Sequence, residues 1–262
     1  GFDATTYWAR SGLADLTRPD PEGPPANPAN GLGDQPTAVT LFAAIVTGLY
    51  RRERTGQGGM VSTSLLANGA WANAMAIQGV LVGGQVVYRQ PRSRPRNALT
   101  NFYRCRDGRW FILSLVTEER DWEAFLRVVE RPGFAQDPCF AKVNARRENA
   151  RLLAGLLDEV FAQRDSAEWT ARFDAEGLTV GVVARSEDAL HDEQMRACGA
   201  LVPADGIPGT GLTVSAPFLV EGADKPRSRP APAVGEHTDE VLRAAGYSEE
   251  EIARLRAGGA VA

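Results

Sequence analysis

The chain has 262 residues, 44% of them hydrophobic and 24% charged, with a net charge of −4 and an isoelectric point of about 5.4. That composition supports a sizeable folded core, and the acidic balance argues against a nucleic-acid binder, which presents a basic face. Three scattered cysteines (Cys105, Cys139, Cys198) and two histidines (His191, His237) offer little for a disulfide framework or a metal site and fit a reducing, cytoplasmic setting.

Residues 1–33 are short, polar and rich in Pro, Gly and Asn, and Pro19, Pro21, Pro24, Pro25 and Pro28 exclude a regular helix there. The segment predicts a long ordered loop. From Pro36 to Arg54, apolar residues fall on nearly every side of a predicted helix, which is therefore expected to be buried. Arg51, Arg52 and Arg54 followed by Gly56 mark its end. Met60 to Ser64 reads as a short strand, and a second long helix is predicted from Leu65 to Val82, ending at Gly83-Gly84. No apolar run is long enough to span a bilayer.

Residues 88–97 form a basic, proline-bearing linker. Its Arg89, Arg92, Arg94 and Arg96 suit phosphates of a ligand, although a solvated linker is the simpler reading. Beyond it, Asp107-Gly108 between two aromatic-rich runs predicts a hairpin. Helices are expected near 119–130, 145–163 and 166–175, a strand over 179–183 and a helix over 187–197. Residues 203–217 carry short strands at most, 221–237 read as an extended connection, and two short helices close the chain. The last has a capping box at Ser248 and Glu251.

The run Asn30-Gly31-Leu32-Gly33-Asp34-Gln35-Pro36 admits two readings. Asp34 beside a proline-initiated helix is a common capping arrangement. The same geometry also suits a nucleophile: Gly31 and Gly33 let a substrate approach the backbone, and a helix N-terminus offers N–H groups to a developing oxyanion. Glu236, His237 and Asp239 form a second polar cluster, read as a helix start. The cysteines lack a basic partner in the sequence and are assigned no thiol chemistry. The five tryptophans are read as core or interface.

Taken in order, Gly1-Phe2-Asp3, Ala9-Arg10-Ser11-Gly12-Leu13, Gly33-Asp34, Ala44 to Tyr50 with Arg52 and Thr55-Gly56, Asp107-Gly108, Thr213 to Phe218 and Gly235 to Leu242 resemble family III CoA-transferases along essentially the whole chain. Gly59 departs from the family, which usually has Gln there. The resemblance implies an α/β fold: part of a Rossmann-like large domain plus a smaller α+β domain, in an interlocked homodimer. The implied boundaries are 1–87 for the C-terminal part of the large domain, 88–97 for the linker, 98–183 for the small domain and 184–262 for a return to the large one.

The resemblance further implies transfer of CoA between an acyl-CoA donor and a small carboxylic acid, with no separate cofactor, metal, nucleic acid or membrane. Asp34 is the implied nucleophile, passing through an aspartyl anhydride and an aspartyl-CoA thioester, with Gly31, Gly33 and Gln35 near the substrate. A related racemase uses a histidine at the position of Phe2, which cannot exchange a proton, so a 2-methylacyl-CoA racemase is the weaker alternative. A non-catalytic partial subunit is another. The start at Gly1 is read as lying within a longer protein of about 400 residues, so the chain alone is expected to be an incomplete enzyme.

Overall fold

The computed structural model describes residues 1–209, 211–225 and 228–262. They divide into two compact units, Gly1–Val183 and Ala184–Ala262.

In the first unit, the hydrophobic core lies between Ala98 and Leu178. Strands β1 (Phe102–Arg104), β2 (Trp110–Leu113) and β3 (Val180–Val182) form an antiparallel sheet in the order β1-β2-β3. The register pairs Tyr103 with Phe111 and Phe111 with Val182. The two-residue side-chain period sends Tyr103, Phe111 and Leu113 into the core and leaves Phe102, Trp110 and Ile112 on the outer face. The expected Asp107-Gly108 hairpin turn is present, with Gly108 at φ 77°. The carboxylate of Asp107 accepts from the amide of Arg109 and from both the amide and hydroxyl of Ser166, so one side chain holds the turn and the start of the next helix.

Four helices belong to this core region, namely α5 (Glu118–Val129), α6 (Val143–Glu148), α7 (Ala150–Phe161) and α8 (Ser166–Ala175). Phe161 is fully buried, with ring centroids 4.9 Å from Tyr103, 4.8 Å from Phe111 and 5.0 Å from Trp169, whose indole N–H donates to the Phe161 carbonyl. The single helix expected over 145–163 is interrupted at Asn149. Its side-chain amide donates to the Ala145 carbonyl and competes with the helical ladder. Beneath α5 and α6 lies a buried ionic group: Glu118 accepts from Asn97, Arg146 and Arg147, and the Arg146 guanidinium stacks on Trp122 at 4.3 Å. Burial pushes the Arg146 guanidinium below its ordinary pKa, against the opposing pull of Glu118.

Residues 1–97 are built differently. A π-helix, Asp3–Arg10, and the short α1 (Leu13–Leu16) occupy the stretch expected to be loop, while the proline-rich residues beyond them are non-helical as expected. The prolines constrain only the chain beyond residue 18, so nothing forbids a helix upstream of them. Helix α2 runs Asp34–Thr55 and ends at left-handed Gly56. The expected burial of α2 is not found: none of its residues is buried, and Phe42 and Val46 are 50% and 46% exposed. The apolar surface of α2 exceeds what its neighbours in this unit cover, chiefly α3 (Leu65–Ala72) and the segment around Val61 that meets Gly48.

The strand expected at Met60 to Ser64 has no ladder partner among the described residues, so the segment joins no sheet. The expected helix 65–82 is split into α3 and α4 (Ala74–Leu81) at Asn73, whose side chain donates instead to the carbonyl of Ser11.

In the second unit, a 3-10 turn (Ser186–His191) precedes α9 (Glu193–Ala197). Strands β4 (Leu201–Pro203) and β5 (Leu212–Val214) pair antiparallel. Helices α10 (Thr238–Ala244) and α11 (Glu249–Ala257) are joined by Arg256–Asp239 and Arg243–Glu249 ion pairs, and the Ser248–Glu251 capping box forms as expected. The expected connection over 221–237 is non-helical where described; residues 226 and 227 lie outside the described set, as does 210 within the 203–217 stretch. No helix among the described residues is long and apolar enough to cross a membrane.

The aromatic cluster sets the cost of disturbing this core. Phe161→Ala is expected to lower unfolding stability by about 3–5 kcal/mol, read from urea unfolding followed by tryptophan fluorescence. A loss under about 1 kcal/mol would contradict the packing described.

Candidate active site

Asp34 is the first residue of α2 and is exposed. The N-cap is Gly33, and the Asp34 side chain makes no capping hydrogen bond; among the described residues its carboxylate has no hydrogen-bond or ion-pair partner. The capping expectation for this side chain is therefore corrected. The turn closes through its backbone: the Gln35 amide donates to the Gly31 carbonyl at 3.1 Å, and the Thr37 amide and hydroxyl both donate to the Gly33 carbonyl. Pro36 has no N–H, so the amide without a partner in this first turn is that of Asp34 itself. The supply of free donors is smaller than a helix N-terminus suggests in the abstract.

The two glycines differ. Gly31 sits in the left-handed region at φ 76°, and a side chain there would meet only Gln35, at 3.6 Å, so that side of the loop is open. Gly33 has φ −100°, which any residue tolerates, but it is closed in by its neighbours. A Cβ at Gly33 would come within 2.5 Å of the Tyr7 ring and of Asp3 Oδ1. Its amide donates to Asp3 Oδ1 at 3.0 Å. The bare face of Gly33 thus makes room for Tyr7 and Asp3.

Those two residues are on the π-helix, in the stretch expected to be loop, and their positioning role is one that the sequence reading misses. Tyr7 is buried, and its far side is held in turn: the Ser11 hydroxyl donates to the Tyr7 carbonyl, and Gly69 of α3 packs so closely that a Cβ there would lie 2.8 Å from Ser11 Cβ. The Asn73 amide donates to the Ser11 carbonyl at 2.9 Å. Asp34 is therefore backed by a layered stack of Gly33, the π-helix and α3. Phe2, one residue before Asp3, is 81% exposed. The one available signal is Asp3 itself, 31 positions before Asp34 in the Gly1-Phe2-Asp3 segment that carries part of the family resemblance.

The other polar groups are occupied or unsuited. Asp239 pairs with Arg256, and Glu236 accepts from the Ala233 amide, so the His237 cluster is a helix start as expected. Burial pushes the Cys105 thiol up to about 12, which removes it as a nucleophile at neutral pH. No cluster of three or more metal-ligating side chains occurs among the described residues. Arg92 is bound bidentately to Asp158.

The model of CoA-transferase family III matches residues 1–238. The chain belongs to CoA-transferase family III. Among its relatives, the (R)-2-hydroxy-4-methylpentanoate CoA-transferase of Clostridioides difficile is 30% identical over 253 residues, covering 96% of this chain and 63% of the relative. The cinnamoyl-CoA:phenyllactate CoA-transferase of Clostridium sporogenes is 26% identical, covering 97% and 62%. A crystal structure of a CAIB/BAIF family protein from Brucella suis superposes with a TM-score of 0.80 at 23% identity, covering 93% of this chain and 62% of that one. The expected mixed α/β fold is thus that of this family's structures. The chain spans 62–63% of the length of these relatives.

The Gly33 contact generates a direct comparison. Gly33→Ala is expected to cost about 1–3 kcal/mol from overpacking against Tyr7, while Gly58→Ala, with nothing within 4 Å and no positive φ, stays within about 0.5 kcal/mol of the parent. Denaturant midpoints measured in parallel decide it, and equal midpoints would refute the close packing.

Proposed function

We propose that the protein transfers CoA from an acyl-CoA donor to a carboxylic acid acceptor, with Asp34 as the nucleophile. The observation that carries this reading is the state of Asp34: a carboxylate exposed and without a partner among the described residues, on a helix start that is itself anchored from behind. Carboxylates elsewhere in the chain that accept from arginines or caps, such as Glu118, Asp158 and Glu251, have their lone pairs engaged.

A carboxylate oxygen of Asp34 attacks the thioester carbonyl carbon; the C–S bond breaks and CoA leaves as thiolate, giving a mixed anhydride. The thiolate attacks the aspartyl carbonyl, the donor's carboxylate departs, and an aspartyl-CoA thioester remains. The acceptor carboxylate attacks that thioester and releases CoA thiolate again. Attack of the thiolate on the acceptor acyl carbon then frees Asp34 and the new acyl-CoA. The thioester is already activated, so a weak nucleophile suffices if it is held in place. Gly31 gives the substrate open backbone beside Asp34, Gln35 contributes a side-chain amide on the same turn, and Gly33 acts through its backbone alone. The Asp34 amide is the local donor for the oxyanion.

A racemase on the same fold needs a second acid–base group, and the exposed side chain at position 2 is phenylalanine. An interlocked homodimer fits the uncovered apolar surface of α2. A smaller domain over 98–183 fits an aromatic core cluster confined to 98–178. Three free thiols fit a cytoplasmic setting.

In the protein produced from its full reading frame, incubation with acyl-CoA and hydroxylamine is expected to convert Asp34 to a hydroxamate, located by peptide mass spectrometry. Asp34→Ala is expected to lower kcat by on the order of 10³-fold or more. Label on another residue, or a fully active Asp34→Ala variant, would overturn the assignment.

A further inference from the structure

A cleft of about 590 Å3 opens on the outer face of the β1–β2 hairpin, where Phe102 and Ile112 line it together with Thr17 and Pro19. Four arginines line it, Arg89, Arg92, Arg96 and Arg147, and no aspartate or glutamate does. We infer that this cleft is a binding site for a small, multiply charged oxyanion, a ligand bearing phosphate or carboxylate groups. The inference is independent of the reading at Asp34.

Two of the arginines are fixed in advance. Arg92 holds Asp158 through two hydrogen bonds of 2.7 and 2.9 Å, donates to the Phe102 carbonyl and lies 5.5 Å from the Trp110 ring. Arg147 donates to Glu118 at 2.7 Å, but that buried carboxylate also serves Arg146, so one negative charge is shared by two guanidiniums. Asn97, which lines the cleft, donates to the same Glu118 and so ties the linker to this group. The other two, Arg89 and Arg96, are exposed and have no hydrogen-bond or ion-pair partner among the described residues. The four lining arginines and Arg146, which shares Glu118 with Arg147, are thus matched by two carboxylates, Asp158 and Glu118, in a chain whose net charge is −4.

An uncompensated local excess of positive charge in a concave site raises the local concentration of anions. Guanidinium is the group that matches carboxylate and phosphate oxygens bidentately. Gln90 and Thr100 add neutral donors on the same lining, which is what orients a bound oxyanion and what a merely solvated charge run lacks. The linker's fourth arginine, Arg94, does not line the cleft and is an internal control on the same segment.

Isothermal titration of the full chain at low ionic strength, with pyrophosphate in one arm and glutarate in the other, tests the site. One-to-one binding in at least one arm is expected, and the arm that binds tells phosphate from carboxylate as the preferred group. The double variant Arg89→Gln/Arg96→Gln is expected to weaken that binding at least about tenfold, while Arg94→Gln changes it less than about twofold. Because both substituted side chains are exposed and unpaired, the variant's thermal midpoint is expected to match the parent's. Failure of both anions to bind, or equal weakening by Arg94→Gln, overturns the site in favour of diffuse charge attraction.

Discussion

The close approach of Gly33 to the π-helix is the constraint on which the candidate site depends. A hydrogen bond from the Gly33 amide to Asp3 and the fit of the Tyr7 ring against a residue without a side chain fix where α2 begins. The direction in which Asp34 leaves the backbone follows from that start. The hydrogen bond also satisfies the N-cap amide, so an acidic side chain from elsewhere takes the part that the third helical residue plays in a capping box, a position held here by Pro36. The Asp34 carboxylate is released from that duty, and the proposed chemistry requires it to be free.

Much of the fold was legible because it rests on local chemistry. The hairpin at Asp107-Gly108, the termination of α2 at Gly56 and the Ser248–Glu251 box each follow from residues within one turn of each other. The failures share a cause as well. Asn73 and Asn149 break helices because their amides have carbonyls to reach, one of them 62 residues away at Ser11. The π-helix is not legible in its own sequence because its close packing partners, Gly33 and Gly69, lie far along the chain. For α2 the periodicity was read correctly as that of a helix apolar all round, and burial was the wrong inference, since it depends on surfaces that a helix's own sequence does not specify.

Of the candidate site, the sequence offers one residue and the family, and the family is the part borne out. Asp34 is proposed on a glycine-flanked helix start together with family resemblance, and membership of the family is borne out along residues 1–238. Asp3 and Tyr7 were not read as part of it, because a positioning role shows only when two distant segments are seen in contact. The arginines of the linker illustrate the opposite case. As a sequence they are a charge run; in the structure Arg92 is held by a carboxylate while Arg89 and Arg96 are not, and this inequality gives them separate meanings.

The placement of the core has a consequence for how such a chain changes over generations. The tightly packed aromatics lie between residues 98 and 178, whereas the proposed nucleophile and its supports lie within the first 73 residues, where buried apolar side chains are few. Substitutions that reshape the loop around Gly31 and Gln35 leave the aromatic packing untouched. On the proposed chemistry, selection can therefore vary the substrate loop without drawing on the free energy that keeps the aromatic core folded.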